Sequence, residues 1–308
     1  QGSGAAELGG PAGAVRVILV TGGHGQLASA LAMHAKVKVV GRPEFDFDRP
    51  ETIDAAFAAA EPSCVINAAA WTAVDAAETD PEGAARANRD GPARLARLCA
   101  EAGIPLIHVS TDYVFDGDKG APYVETDPTG PTGVYGATKL AGEAAVLAAC
   151  PRAIVVRTAW VYSATGKNFV RTMLTLGKTR DHLRVVADQR GCPTAAADLA
   201  DIVLGIARAA TAEWRDEYAG VFHSCGTGET SWHGFAEAIF AEAARHGATA
   251  PRVEPITTAE FPTPAKRPAD SRLDCSKLER VFGLRQPAWQ ASLAQVVDRL
   301  MTPAEGGA

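Results

Sequence analysis

Short runs of β-branched residues alternate with Ala- and Leu-rich helical periods through the first half of this chain, and that alternation constrains the fold more than any other feature. Runs at 17–20, 36–40, 64–66, 106–109 and 153–156 read as strands, and segments 26–34, 51–60, 81–102 and 138–149 carry helical spacing. A strand that returns through a helix to a parallel neighbour is buried on both faces, so the pattern predicts an α/β fold: a doubly wound parallel sheet covered by helices on both sides. The helix over 81–102 is the best punctuated. Asp80 is a good N-cap, Pro81 suits the first turn, Leu95, Leu98 and Cys99 share a face, and Gly103 ends it.

After about position 159 the alternation loosens. The tail from Gly226 mixes helical segments at 232–245 and 293–300 with a Pro-rich stretch over 251–268, which predicts a smaller C-terminal lobe. The expected division is a main domain over 14–160 and 184–224 and the lobe over 161–183 and 225–308. Residues 1–13 hold five glycines and no aromatic residue, too little apolar surface to offset ordering entropy, and read as a disordered leader or a cloning remnant.

A chain of 308 residues with 47% hydrophobic and 21% charged residues can bury one large core with a lobe attached. Its net charge of -6 and the absence of any Lys/Arg run argue against nucleic acid or an anionic membrane as partner, and leave small molecules. Six cysteines lie scattered without a CxxC or a His at ligand spacing, the pattern of reduced, buried thiols. With no bilayer-length apolar stretch and no signal-like segment, a cytoplasmic protein is expected.

Residues 17–28, Val-Ile-Leu-Val-Thr-Gly-Gly-His-Gly-Gln-Leu-Ala, read as a strand, a glycine turn and the first turn of a helix. Gly22 and Gly25 allow the tight turn, and the backbone N–H groups at Gln26 and Leu27 meet a pyrophosphate where the helix dipole favours negative charge. Ala28 stands in the place of a third glycine and is still small. The second strand ends in Val40-Gly-Arg42 with no carboxylate for the adenosine ribose of NAD, so Arg42 points to the 2′-phosphate of NADP. NADPH is favoured and NADH stays open, as does Arg42 as a solvated loop residue. Asp46 and Phe47 fit the adenosine end. Ala68, Ala69 and Ala70, after the third strand, let the backbone run close to the cofactor or simply pack helix on sheet.

The catalytic signal is Tyr135-Gly-Ala-Thr-Lys139 at the start of an Ala-rich helix. Tyr and Lys at i and i+4 share a helical face, so the ammonium is expected to pull the phenol toward neutrality and make Tyr135 a general acid or base. Ser110-Thr-Asp-Tyr-Val-Phe115 follows an apolar strand at the carboxyl edge where parallel sheets bind ligands. There Thr111 can donate a hydrogen bond to a substrate oxygen, and Asp112 and Tyr113 can hold hydroxyls.

Glycine turn, Thr111, Tyr135 and Lys139 in this order resemble the extended short-chain dehydrogenase/reductase superfamily, a Rossmann-type fold. Further blocks narrow the resemblance to the dTDP-4-dehydrorhamnose reductases: Asn67-Ala-Ala-Ala-Trp-Thr-Ala-Val-Asp75, Arg157-Thr-Ala-Trp-Val-Tyr162, Asp188-Gln-Arg-Gly-Cys-Pro-Thr194 and Arg267-Pro-Ala-Asp-Ser-Arg-Leu-Asp274. The resemblance implies a nucleotide-sugar substrate and NAD(P)H-dependent reduction of the C4 ketone of dTDP-4-dehydro-L-rhamnose. It implies that Tyr135 protonates the C4 oxygen, Lys139 lowers its pKa and holds the nicotinamide ribose, and Thr111 orients the carbonyl. It further implies that Asp112 and Trp160 contact the sugar, and that Arg267 and Ser271 close over the nucleotide end or anchor the lobe.

Some members of that family dimerise through a magnesium ion held by glutamates, and the matching positions here are Ala30 and Ala197. No metal is expected, and a monomer or a homodimer without bridging magnesium follows. Related nucleotide-sugar dehydratases carry a Glu where this chain has Tyr113, which argues against elimination. The remaining alternatives are a reductase of a related 4-keto deoxyhexose and a non-catalytic NADP-binding subunit resembling the methionine adenosyltransferase β subunit.

Overall fold

The strand runs of the first half pair in parallel. In the computed structural model, which describes residues 17–302, β1 (Ile18–Thr21), β2 (Val37–Val40), β3 (Cys64–Asn67), β4 (Leu106–Thr111) and β5 (Ala153–Thr158) join the later strand Gly220–His223 in one sheet. Its spatial order is Gly220–His223, β5, β4, β3, β1, β2, every pair parallel. The direction of winding reverses between β1 and β3, and at such a switch point the carboxyl ends of the strands open a crevice for a ligand. The stretch 1–13, expected to be a leader, lies outside the described residues.

Helices cover both faces. On one side α1 (Gln26–Leu31) and the helix Ala196–Ala212 bury Leu27, Leu31, Leu199 and Val203 against Val20, Ile66 and Ile107. On the other, α2 (Pro50–Ala60) and the helices Gly91–Glu101 and Val134–Ala149 bury Ile53, Leu95 and Val146 against Leu19, Val65 and Leu106. Each such side chain stabilises the fold by about 1.5–3 kcal/mol. No helix among the described residues is long and apolar enough to cross a membrane.

Three helices differ from those the sequence predicts, two of them because of a partner far along the chain. The single helix expected over 81–102 starts as expected, with Gly83 N–H donating to Asp80 at 2.9 Å, but widens into a π-turn at Arg86–Asp90. There the buried Asn88 amide accepts from Trp71 N–H at 2.9 Å and donates to the Thr138 hydroxyl at 3.1 Å. The helix expected at 138–149 starts at Val134, where the Glu78 carboxylate accepts from Val134 N–H at 2.8 Å, so Tyr135 lies in its first turn. The first helix stops at Leu31, short of position 34.

The C-terminal part builds its own apolar cluster, in which Phe235, Ile239, Trp289, Leu293 and Val297 pack with Tyr162, Val170 and Leu183. Both expected tail helices are present, at Trp232–Ala244 and Trp289–Met301. Within the Pro-rich stretch, Arg252–Ile256 forms a strand paired only with His182–Val186, an edge that accepts Pro255. Leu278, from a helix in the range expected for the lobe, packs instead into the cluster on the main sheet. The C-terminal segment is tied to the first half of the chain by Arg267, whose guanidinium meets the Asp75 carboxylate at 2.8 Å, and by Tyr123, which exchanges backbone hydrogen bonds of 2.8 Å with Arg272 and Asp274.

Candidate active site

A cleft of about 1180 Å³ runs along the carboxyl ends of β1, β3 and β4. At one end the chain leaves β1 through Gly22, whose φ of +114° is closed to most side chains, and a Cβ there would lie 3.0 Å from the Ala68 carbonyl. Gly25 N–H returns to the Gly22 carbonyl at 2.9 Å, and no side chain caps the first helix, so its leading N–H groups stay free for a ligand. Gly22, Gly25, Gln26 and Leu27 line this end, with Ala68, Ala69 and Ala70 as the facing wall. Arg42, Asp46 and Phe47 line it further out, where the Arg42 side chain is 76% exposed and 3.8 Å from Asp46.

At the other end Thr111, Asp112, Tyr135, Lys139 and Trp160 come together. The helix bearing Tyr135 approaches closely because residue 136 is glycine: a Cβ there would meet the Tyr113 carbonyl oxygen at 2.1 Å. Thr111 donates to Asp112 Oδ1 at 3.0 Å and accepts from Tyr113 N–H at 3.2 Å, and it also engages the Tyr135 hydroxyl. The Tyr113 ring meets the Tyr135 ring edge to face at 5.4 Å. Trp160 holds a left-handed backbone with φ of 50° and stacks on Trp232 of the lobe.

The electrostatics correct one expectation. Burial pushes the Tyr135 phenol far above its ordinary range, reinforced by Asp112 and Tyr113, with only the Thr111 contact opposing. Lys139 does not pull it down, because Lys139 Nζ donates to the Val109 carbonyl at 2.7 Å and faces His108 Nε2 at 3.5 Å. Burial lowers Lys139 itself to about 8, with Glu143 opposing, and raises Asp112 to about 6. A desolvated site disfavours each charge it holds, so the phenol keeps its proton.

Arg267 and Ser271 do not line the cleft. Arg267 reaches Tyr113 and Asp75, and the buried Ser271 hydroxyl reaches Asp112, so both contact cleft residues without lining the cleft themselves. Two contributors missed from the sequence are Ser110 and Thr158, cleft residues whose buried hydroxyls have no partner in the protein. Both stand at strand ends inside quoted motifs, the only signal that could have flagged them. Such orphaned hydroxyls, beside a cradle that a Cβ at Gly22 would crowd, fit a bound dinucleotide. Among the described residues no group of three or more His, Cys, Asp or Glu could hold a metal ion, and all six cysteines are free thiols.

Comparison with known proteins agrees with this geometry. Residues 16–302 match the family model of the RmlD substrate binding domain. A dTDP-4-dehydrorhamnose reductase of Sinorhizobium fredii is 47% identical, over 92% of this chain and 97% of its own length. The crystal structure of a dTDP-4-dehydrorhamnose reductase from Clostridium acetobutylicum is 40% identical with a TM-score of 0.84, covering 92% of this chain and 99% of its own. That of the Bacillus anthracis dTDP-4-dehydrorhamnose reductase in complex with NADP is 32% identical with a TM-score of 0.85, over 92% and 99%.

Proposed function

The chain belongs to the dTDP-4-dehydrorhamnose reductase family, and we propose that it reduces the C4 ketone of dTDP-4-dehydro-L-rhamnose to dTDP-L-rhamnose with NAD(P)H. The observation that carries this reading is the convergence of Thr111, Tyr135 and Lys139 on the same cleft as the glycine turn.

NADPH, or NADH in its place, supplies the hydride when bound. Gly22, Gly25, Gln26 and Leu27 would cradle its pyrophosphate against Ala68, Ala69 and Ala70, Asp46 and Phe47 would flank the adenosine, and the exposed Arg42 would take the 2′-phosphate. Tyr135 keeps its proton at neutral pH and delivers it to the C4 oxygen as that oxygen gains negative charge. Lys139, as the ammonium, would hold the nicotinamide ribose. Thr111 orients the carbonyl, Asp112 and Trp160 hold the sugar, and Arg267 and Ser271 keep Tyr113 and Asp112 in place. Rigid seating of these groups on strand ends and one helix keeps the ketone within reach of both hydride and proton.

The six free thiols support a reducing compartment such as the cytoplasm. Alanine at positions 30 and 197 supports a monomer, or a dimer without a magnesium bridge. The test is turnover: purified protein given dTDP-4-dehydro-L-rhamnose and NADPH should consume NADPH and form dTDP-L-rhamnose. A protein that binds NADPH yet stays inert, or that turns over only a different 4-keto sugar, would overturn the assignment.

A further inference from the structure

Three polar side chains cross the apolar sheet beneath the cleft, one from each of three adjacent strands. Thr21 of β1 is the register partner of Asn67 of β3, and Asn67 is the register partner of His108 of β4. All are buried, at 0%, 1% and 0% exposure, and the row ends on Lys139, at 2%. A file of polar groups in an apolar sheet is tolerated only when each group is paired, so its bonding is strongly specified.

The direction of that bonding is set at the far end. Ala69 N–H is a backbone group that can only donate, and it points at both Thr21 Oγ1 (3.2 Å) and Asn67 Oδ1 (3.3 Å), while the Thr21 hydroxyl donates to Asn67 Oδ1 at 2.5 Å. The Asn67 oxygen is thereby held toward Thr21, and its amide nitrogen faces His108 Nδ1 at 2.9 Å. Nδ1 must accept, which leaves the ring proton on Nε2, 3.5 Å from Lys139 Nζ.

We propose that the Thr21–Asn67–His108 row pins His108 as the Nε2–H tautomer aimed at Lys139, and thereby makes Lys139 a lysine that yields its proton rather than a permanent cation. A ring N–H facing the ammonium offers it no acceptor, whereas it pairs with the lone pair of the neutral amine. The remaining bond, to the Val109 carbonyl, suits either form. The other ionisable groups around Lys139 are Glu143 and Tyr135 on its own helix, Arg157 from β5 paired to Glu143, and Asp112 and Tyr113 past the end of β4. Burial moves Lys139 in the same direction, and His108 stays neutral beside it. His108 is a positioning residue in this scheme, acting through Lys139, and the Ala69 end of the row belongs to the wall of the cofactor cradle.

Nitrogen-15 NMR of histidine-labelled protein, with His108 assigned by its loss in His108→Gln, reads the tautomer directly. The expected spectrum shows a protonated Nε2 and a bare Nδ1, and Asn67→Asp, whose carboxylate accepts from Nδ1–H, should reverse it. The second arm rests on the reductase reading and follows kcat against pH. The basic limb, where Lys139 loses its proton, should rise by about one pH unit in Asn67→Asp and in His108→Gln, since each offers the ammonium an acceptor. A His108 ring protonated on Nδ1 in the unaltered protein, or a basic limb that stays put or falls in variants that still bind NADPH, would overturn the proposal. Absence of any turnover would instead sink the reductase reading, while the imidazole spectrum decides the row by itself.

Discussion

The indole of Trp160 lies flat on that of Trp232, with ring centroids 3.6 Å apart and planes within 10°. The first belongs to the cleft wall and the second opens the helix Trp232–Ala244, so that helix fixes one end of the cleft by stacking on a residue with a left-handed backbone. Removing Trp232 to alanine should lower kcat/KM for the sugar nucleotide roughly three- to tenfold, in line with about 0.5–1.5 kcal/mol for an aromatic pair, and leave NADPH affinity unchanged. An equal loss in NADPH affinity would count against a role confined to the sugar end.

Tyr135→Phe removes the only proton that the buried phenol carries to the cleft, and changes its shape little. Turnover should fall by about two orders of magnitude or more while the Kd for NADPH holds, measured by fluorescence titration. Unchanged kcat would rule out Tyr135 as the acid.

The Arg42 side chain is 76% exposed and only loosely paired to Asp46. Arg42→Ala should raise KM for NADPH about tenfold or more and barely alter KM for NADH, since the lost charge-assisted hydrogen bond is made only to the 2′-phosphate and is worth about 1.5–3 kcal/mol. Equal changes for both cofactors would separate Arg42 from that phosphate.

Burial raises Asp112 to about 6 from its unfolded value of 3.8. Between those values the folded chain holds a proton that the unfolded chain has released, so stability declines as pH rises from about 4 to about 6, by up to about 3 kcal/mol for the full shift. Asp112→Asn carries no such charge. Its unfolding free energy in urea, relative to the unaltered protein, should therefore climb across that window and level off above it, and parallel pH profiles would contradict the buried carboxylate.

Gly22→Ala places a methyl group in a left-handed turn and 3.0 Å from the Ala68 backbone. Strain of about 1–3 kcal/mol at the centre of the cradle should weaken NADPH binding by roughly tenfold or more and lower Tm. A variant with native affinity would mean that the turn has more room than its geometry shows.

Much of the architecture was legible in the residues because its signals are local. Strand and helix follow from periods of 2 and 3.6, so β1, β3, β4 and β5 and both tail helices could be read from spacing alone. The glycine turn and the Tyr135 to Lys139 spacing are likewise short-range patterns, and every residue assigned from them to the cofactor cradle lines the cleft. Arg267 and Ser271 were legible only as a motif, and the fold turns them toward Asp75, Tyr113 and Asp112 rather than into the cleft.

What only the tertiary structure decided are the properties that depend on neighbours distant in sequence. The wide turn at Asn88 depends on Trp71 and Thr138, and the early start of the Tyr135 helix depends on Glu78. The charge states of Tyr135 and Lys139 belong to the same group. The sequence determined that a phenol and an amine share one helical face, but their proton affinities follow from how much water the folded chain removes and which dipoles replace it. Those dipoles include the His108 ring and the Val109 carbonyl, brought to Lys139 by a strand some thirty residues away.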